Sequence, residues 1–164
     1  MCFVKKILII FFFTIFLNKI SHANEKIVFF DVNVLLNQTN IGLKTLSIIN
    51  DLNDKNIKTL KNNEKKLKEQ ENEIKKKQNI ISSEELNKEI ELLNTNFRNF
   101  KVEKDNMVNN YKKIKEKELN NFFDKINPVI QNYMNENSID ILIERKNVFL
   151  GKISSDITKN LIAE

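Results

Sequence analysis

The chain is 164 residues long, 30% of its residues are charged and 41% are apolar, and its formal net charge at pH 7 is +5. The whole sequence contains one cysteine, one histidine and two glycines. These counts exclude an internal disulfide scaffold, a Cys/His zinc cluster and a glycine-rich phosphate loop.

The first residues have the pattern of a secretory signal peptide. Lys5-Lys6 is a basic start, Ile7–Leu17 is an apolar run of 11 residues, and Ser21-His22-Ala23 supplies small residues at the positions that a signal peptidase reads. We therefore expect residues 1–23 to be a signal peptide that is cleaved after Ala23. The alternative is an uncleaved membrane anchor, but the apolar run is shorter than the roughly 17–25 residues of a spanning helix.

Cleavage would remove the only cysteine and the only histidine, Cys2 and His22. The remaining 141 residues carry 24 basic and 22 acidic side chains, so their net charge is +2. Without these residues the exported chain has no imidazole for acid–base chemistry and no thiol nucleophile. We therefore expect no enzyme, no cofactor and no metal site.

The exported chain begins with a strongly apolar segment, residues 25–32 (EKIVFFDV). A nearly continuous apolar run of this length is typical of a strand that is covered on both faces. Asn33–Asn37 then predicts a helical turn, which residues 38–42 break. A long helix is expected to begin near Leu43.

Residues 43–136 contain no glycine and a single proline, Pro128. One straight helix of that length would hold its two ends about 140 Å apart, at roughly 1.5 Å per residue. Because the apolar strands at both ends must meet to form a sheet, we expect a helical hairpin with its tip near residues 79–83. Ser82 or Ser83 can cap the returning helix, and Pro128 predicts a kink near Ile126-Asn127.

The second half of this hairpin has the clearer coiled-coil pattern. Its apolar residues follow a 3.5-residue period, and they are Leu86, Ile90, Leu93, Phe97, Phe100, Met107, Tyr111 and Ile114. In the first half, from Leu60 onward, Glu64 and Glu71 occupy alternate core-type positions, and Lys104 interrupts the second half. The seam between the helices is therefore expected to be thin and the arm flexible.

The end of the chain returns to β-like patterns. Ile139–Glu144 and Val148–Leu150 predict two strands joined by a tight turn at Lys146-Asn147. Ser154-Ser155-Asp156 is expected to cap a last short helix over Ile157–Ile162. The predicted fold class is thus mostly α with a small β body (α+β). Residues 24–42 and 137–164 would form the body and residues 43–136 the arm.

Three short strands and one small helix are too little to bury a core of their own. Because the strands are almost entirely apolar, their bare edges and faces are expected to pair with copies of the same chain. The residues predicted to form this oligomer interface are Ile27, Phe29, Ile139, Ile141, Ile143 and Phe149.

This layout resembles the Skp/OmpH family of periplasmic chaperones. The resemblance is carried by the first strand (KIVFFDVN), by Ile139–Ile143 and by Asp156-Ile157-Thr158 before the last helix. It implies a jellyfish-shaped homotrimer with a shared β-barrel-like body and three helical arms around a cavity. Such a trimer holds unfolded outer-membrane proteins in the periplasm without ATP and passes them toward outer-membrane assembly.

The two halves of the arm differ in charge. Residues 43–83 carry 10 lysines and 6 acids, whereas residues 84–136 carry 9 basic and 10 acidic side chains. Members of the resembled family typically have strongly basic arms, so contact with anionic lipid or lipopolysaccharide is expected to be weak here. A charge run is also what a solvated helix face shows. Electrostatic attraction of clients is expected near the tip, at Lys65, Lys66, Lys68, Lys75, Lys76 and Lys77.

Two other functions fit parts of the pattern. A structural coiled coil of the cell envelope would bind no client, but its seam would be filled rather than interrupted by acids and Lys104. A nucleic-acid binder would need a strongly basic chain, and the exported chain has a net charge of only +2. The sequence therefore favours an ATP-independent holdase for outer-membrane proteins.

Overall fold

The computed structural model describes residues 25–164, so the predicted signal peptide lies outside the described residues. Two short 3₁₀ turns, Arg145–Asn147 and Ile153–Ser155, lie between the last strand and the last helix. Within residues 25–164, no helix has the length and apolarity needed to span a membrane. The elements in chain order are β1 (Ile27–Phe30), α1 (Val32–Gln38), α2 (Asn40–Lys77), α3 (Ser83–Glu136), β2 (Ile141–Glu144) and α4 (Thr158–Ala163).

The two strands form a parallel pair although the whole helical hairpin lies between them in sequence. Ile27 pairs with Ile141, and Phe30 pairs with Glu144. Parallel strands need a long crossover connection, and here the hairpin of α2 and α3 is that connection. The prediction that the two apolar ends of the chain meet in one sheet is confirmed.

The predicted third strand, Val148–Leu150, is wrong, and so is the tight hairpin at Lys146-Asn147. Arg145–Asn147 forms a 3₁₀ turn instead, in which the Val148 N–H donates to the Arg145 carbonyl at 3.0 Å. A two-residue hairpin of the common type needs positive φ at both central residues. Among residues 25–164, Ser138 is the one non-glycine residue with positive φ, at 51°.

Hydroxyl and carboxylate side chains start the first two helices. The Asp31 carboxylate accepts hydrogen bonds from the N–H groups of Asn33 at 2.9 Å and Val34 at 3.2 Å. The Thr39 hydroxyl then accepts from the Gly42 N–H at 3.0 Å, so α2 begins three residues before the predicted start. Gly42 lies inside α2, and α1 passes so close to it that a Cβ there would collide with the Leu36 carbonyl oxygen, so only glycine fits at this position.

The main core lies where the strands, α1, α4 and the base of α3 meet. Its buried side chains are Val28, Phe30, Leu35, Leu36, Phe122, Ile130, Ile139, Ile157 and Leu161. Strands and α4 alone would not supply this cover, but α1 and the base of the arm contribute their apolar faces. A single chain therefore buries a core of its own, and the expectation that it could not do so is corrected.

The arm consists of α2 and α3, which pack against each other along their length. A second, smaller cluster of buried residues, Leu67, Ile74 and Leu93, lies toward its tip. The Ser82 hydroxyl accepts from the Glu85 N–H at 3.2 Å and caps α3, which confirms the predicted serine cap. Helix α3 then continues without a break through Pro128, where a kink was expected. The observed fold class is mostly α with a small β body, as predicted.

Candidate interaction surfaces

Phe29 is the side chain around which the end of the chain folds. It lies on β1 and is only 8% exposed. Residues 145–156, here called the C-terminal loop, wrap over its ring. The Arg145 guanidinium carbon is 5.7 Å from the ring centroid, and a Cβ on Gly151 would lie 2.7 Å from the Phe29 Cε1 atom. An arginine at that distance from a ring is attracted to its face.

A chain of polar contacts closes the base of the C-terminal loop. The Arg145 guanidinium donates to the Asp156 carboxylate at 2.5 Å. The other oxygen of that carboxylate accepts from the N–H of Thr158 at 3.0 Å and from its hydroxyl. The Thr158 oxygen in turn accepts from the Asp31 N–H at 2.9 Å. These four residues, here called the latch, join β1, the C-terminal loop and α4.

The latch changes the acidity of Asp156. Partial burial by itself would raise the pKa of this carboxyl. The hydrogen bonds from Thr158 and the neighbouring charge of Arg145 together outweigh burial, so the pKa of Asp156 lies below its ordinary value. Asp156 is therefore ionised throughout the neutral range.

The tip of the C-terminal loop exposes apolar side chains. Phe149 is 104% exposed, Leu150 is 88% exposed and Ile153 is 92% exposed. The paired strand residues Ile27 and Ile141 are also exposed, at 48% and 41%. Exposed apolar residues that gather on one part of a small protein indicate an interaction surface.

The predicted interface residues thus fall into two groups. Ile27, Ile141 and Phe149 are exposed, whereas Phe29 and Ile139 are buried inside the single chain and Ile143 is half buried. Sequence reasoning missed Leu150 because Val148–Leu150 was taken for a strand, and it assigned Ile153 to no element. An apolar triplet beside a glycine was the signal available.

The lysines predicted to attract clients lie near the tip of the arm, and acids pair with most of them. Exposed pairs of this kind add little stability, but they offset the charge of the lysines. Residues 64–91 carry seven lysines and eight acids. The ion pairs are Lys65–Glu69 at 3.7 Å, Lys75–Glu71 at 2.6 Å, Lys76–Glu73 at 2.8 Å and Lys77–Glu89 at 3.5 Å.

The pairing shows in the acidity of these groups. The hydrogen bond from Lys75 lowers the pKa of Glu71, and the hydrogen bond from Lys76 lowers the pKa of Glu73. Glu73 in turn raises the pKa of Lys76. Within residues 25–164, no ion pair is formed by the two remaining lysines of the predicted set, Lys66 and Lys68.

Two open troughs of about 490 and 500 Å³ lie along α3, and both are lined by Asn99 and Glu103. Hydrogen bonds between the helices border them. Asn63 on α2 donates to the Glu103 carboxylate at 2.8 Å, and the Asn96 side chain donates to the side-chain oxygen Oε1 of Gln70 at 2.9 Å. Within residues 25–164, no group of three or more histidine, cysteine or acidic side chains could hold a metal ion.

Comparisons with known proteins agree on one family. The profile of the OmpH family, described as outer membrane protein (OmpH-like), matches residues 26–164. A similar solved structure is that of an OmpH-like protein from Caulobacter crescentus CB15, described as an outer membrane chaperone. It is 16% identical, the match covers 86% of this chain and 83% of the other, and the TM-score is 0.71. No curated protein sequence matches the chain.

Proposed function

This chain belongs to the OmpH-like family, and from that premise we propose that it is a periplasmic chaperone that holds unfolded outer-membrane proteins without ATP. The similar structure from Caulobacter is described as a chaperone. The signal-peptide pattern of residues 1–23 supports export to the periplasm. The proposed client is an unfolded outer-membrane chain on its way to assembly.

The observation that carries the proposal is the exposure of apolar side chains along the arm. In a filled coiled coil the apolar residues lie in the seam. Here many of them lie at the surface, and between Ile49 and Leu67 no residue of α2 is a buried hydrophobic side chain. A structural coiled coil does not require exposed apolar side chains, whereas a holdase needs them to bind unfolded clients. The exposed apolar residues of the arm include Ile57, Ile90, Leu92, Phe97, Val102 and Val108.

The physical task matches a surface of this kind. An unfolded outer-membrane strand alternates apolar and polar residues and aggregates readily in water. Many weak contacts along a thinly packed arm would shield it from other chains. Because each contact is weak, release would need no energy source.

We further propose that three copies assemble through the β body, residues 24–42 and 137–164, with the arms of residues 43–136 around a shared cavity. Ile27, Ile141 and Phe149 would meet the neighbouring copies. Leu150 and Ile153 join this set because of their exposure. Phe29 and Ile139 would contribute only indirectly, because they are buried within their own chain. Phe29 would support the C-terminal loop, which carries the exposed residues Phe149, Leu150 and Ile153.

We assign the tip lysines a secondary part. Because lysines and acids are nearly balanced near the tip of the arm, the electrostatic field there would be weak. Lys66 and Lys68 would give most of the attraction to client carboxylates, and Lys65, Lys75, Lys76 and Lys77 would contribute less because acids pair with them. Contact with anionic lipid or lipopolysaccharide would be weak for the same reason.

The test is the light-scattering mass of the exported chain, alone and mixed with a urea-unfolded outer-membrane barrel diluted into buffer. We expect a mass near three chains that rises by one soluble client. A monomer or dimer beside a precipitated barrel would contradict the proposal and favour a structural coiled coil of the envelope. The readout is solubility as well as mass, so assembly and client capture are judged separately.

A further inference from the structure

A row of carboxamide side chains runs along α3 beside its apolar seam. Residues three and four apart lie on the same face of a helix. Such spacing joins a set of polar residues, here called the amide row: Asn96, Asn99, Glu103, Asn106 and Asn110. Four of these five are asparagine, in a chain of which 30% of the residues are charged. The amide row is therefore a nearly uncharged polar strip on a highly charged arm.

The inner members of the row are already engaged. Asn96 and Glu103 bond to Gln70 and Asn63 of α2 and tie the row to the other helix. Within residues 25–164, no side-chain hydrogen bond engages the exposed members of the row, which are Asn99, Asn106 and Asn110. Their donors and acceptors are open to solvent on the outside of the arm.

The apolar residues beside the row form the rest of the trough. Val102 is 58% exposed, and Met107 is half buried; both line the trough of about 490 Å³ together with Asn99, Asn106 and Asn110. Glu103 also lines this trough, and its carboxylate already accepts a hydrogen bond from Asn63. The other polar side chains of the trough are neutral amides, which would not compensate the desolvation of a charged partner. The trough is suited to a neutral partner that carries both polar and apolar groups.

The main chain of an unfolded polypeptide has this chemistry. Each carboxamide offers a donor and an acceptor, and each peptide group offers the same pair in every sequence except at proline. In an extended client these groups are bonded only to water. Carboxamides spaced along a helix can replace that water without reading side chains.

We propose that Asn99, Asn106 and Asn110 bind the main chain of an extended, unfolded client, while Val102 and Met107 contact the client side chains that face the arm. This inference rests on the proposed chaperone function and names the part of the client that is recognised. Because all clients share one main chain, recognition by the amide row is independent of client sequence.

The test compares two labelled peptides that copy one strand of an eight-stranded outer-membrane barrel. One is unmodified, and the other is N-methylated at alternate residues, which removes main-chain donors along one edge. Both are titrated with the full exported protein and with the triple variant Asn99→Ala, Asn106→Ala, Asn110→Ala. The matched control is Asn72→Ala, Asn87→Ala, Asn94→Ala, three exposed helical asparagines outside the row.

Loss of three hydrogen bonds, each worth roughly a two- to tenfold change in affinity, should weaken binding of the unmodified peptide about tenfold or more. The control triple should change it less than about twofold. The N-methylated peptide keeps its carbonyl acceptors and the N–H groups of its other edge, so the row variant should lose less affinity for it than for the unmodified peptide. Glutamine at the three positions keeps the carboxamides and should restore most of the affinity.

Three results would overturn the inference: an unchanged affinity of the row variant, an equal loss in the control triple, or an equal loss on both peptides. The last would mean that the row does not recognise the main-chain N–H groups that N-methylation removes. Circular dichroism of each variant checks that the arm is folded. A wild type that fails to keep the unfolded barrel soluble would instead remove the proposed function, and with it this inference.

Discussion

The ring of Phe29 and the backbone of Gly151 lie in direct contact, and no side chain fits between them. A Cβ on Gly151 would lie 2.7 Å from the Phe29 Cε1 atom and 3.3 Å from a methyl carbon of Val148. The ring cannot move aside, because it is buried under the C-terminal loop and beside the sheet. Phe29 therefore acts as the support on which the loop rests.

Gly151→Ala should push the C-terminal loop off Phe29. Forcing an extra methyl group into a packed site costs about 1–3 kcal/mol, and most of that strain would be relieved by movement of the loop rather than of the sheet. We expect a lower urea midpoint and a larger fraction of dissociated chains in light scattering. Lys152→Ala, an exposed neighbour, is the control. An unchanged mass and midpoint in Gly151→Ala would show that the loop yields freely.

The latch predicts a dependence of stability on pH. The pKa of Asp156 is lowered in the folded chain from an ordinary value of about 3.8. Its contribution to the free energy of unfolding is therefore fully present above pH 3.8 and is lost as pH falls through the lowered pKa.

Asp156→Asn removes that contribution. At pH 7 the variant should be less stable by about 1–3 kcal/mol, because Arg145 and Thr158 lose charged partners. The difference from the wild type should shrink as urea titrations are repeated from pH 5 down to pH 2.5. Asp124→Asn, on the exposed face of α3, should follow the wild type at every pH. If the difference in free energy of unfolding between Asp156→Asn and the wild type stays constant with pH, the charge of Asp156 does not stabilise the folded chain through the latch.

The meeting of the two strands was predictable, because apolar segments at both ends of a helical insert must find each other. The Ser82 cap was predictable as well, since a hydroxyl before two acids marks a helix start. Val148–Leu150 was not: three apolar residues fit a strand or an exposed loop equally well. Whether such a segment becomes a strand or a loop depends on whether another strand has a free edge beside it, and the local sequence pattern does not give that information.

The division of the predicted interface residues shows the same limit. Phe29 and Ile141 lie in strands of similar apolarity, yet one is buried in its own chain and the other is exposed. Apolar pattern indicates that a residue needs cover, but not which chain supplies it. The latch was visible only in part: Asp156-Ile157-Thr158 stood out before the last helix, but its contact with the Asp31 N–H depends on how the C-terminal loop folds against β1. The amide row was visible as 3-4 spacing, but its exposure was not.

Charging the exposed body residues should dissociate the proposed trimer without unfolding the chain. In Ile141→Lys with Phe149→Asp, both side chains are exposed in the single chain, so the core is left intact. We expect the mass to fall from three chains to one, with unchanged helical circular dichroism and loss of client capture. Ile80→Asp is the control, because Ile80 is 82% exposed at the tip of the arm, away from the body.

Phe29→Asp is the counterpart of this variant, because it should affect folding and not only assembly. Because Phe29 is buried, a charge there should unfold the body itself, visible as a loss of the cooperative thermal transition. A clean, folded monomer of the Ile141→Lys, Phe149→Asp variant that still keeps an unfolded barrel soluble would contradict the shared-cavity proposal.

The effect of replacing a lysine near the tip of the arm on the rate of client association should depend on whether that lysine forms an ion pair. Lys66→Gln with Lys68→Gln removes two lysines that form no ion pair within residues 25–164, whereas Lys75→Gln with Lys76→Gln removes charges that Glu71 and Glu73 already offset. Rim charges act mainly on the association rate, and salt screens them. In stopped-flow capture of an acidic unfolded barrel at 20 mM salt, we expect the first pair to slow association about two- to fourfold. The second pair of substitutions should change the association rate less, and both differences should vanish at about 0.5 M salt, where the Debye length is only a few ångströms.

Equal slowing by both pairs of substitutions would mean that the ion pairs open freely in solution. Slowing that persists at high salt would mean that the lysines bind the client by direct contact rather than by long-range electrostatic attraction.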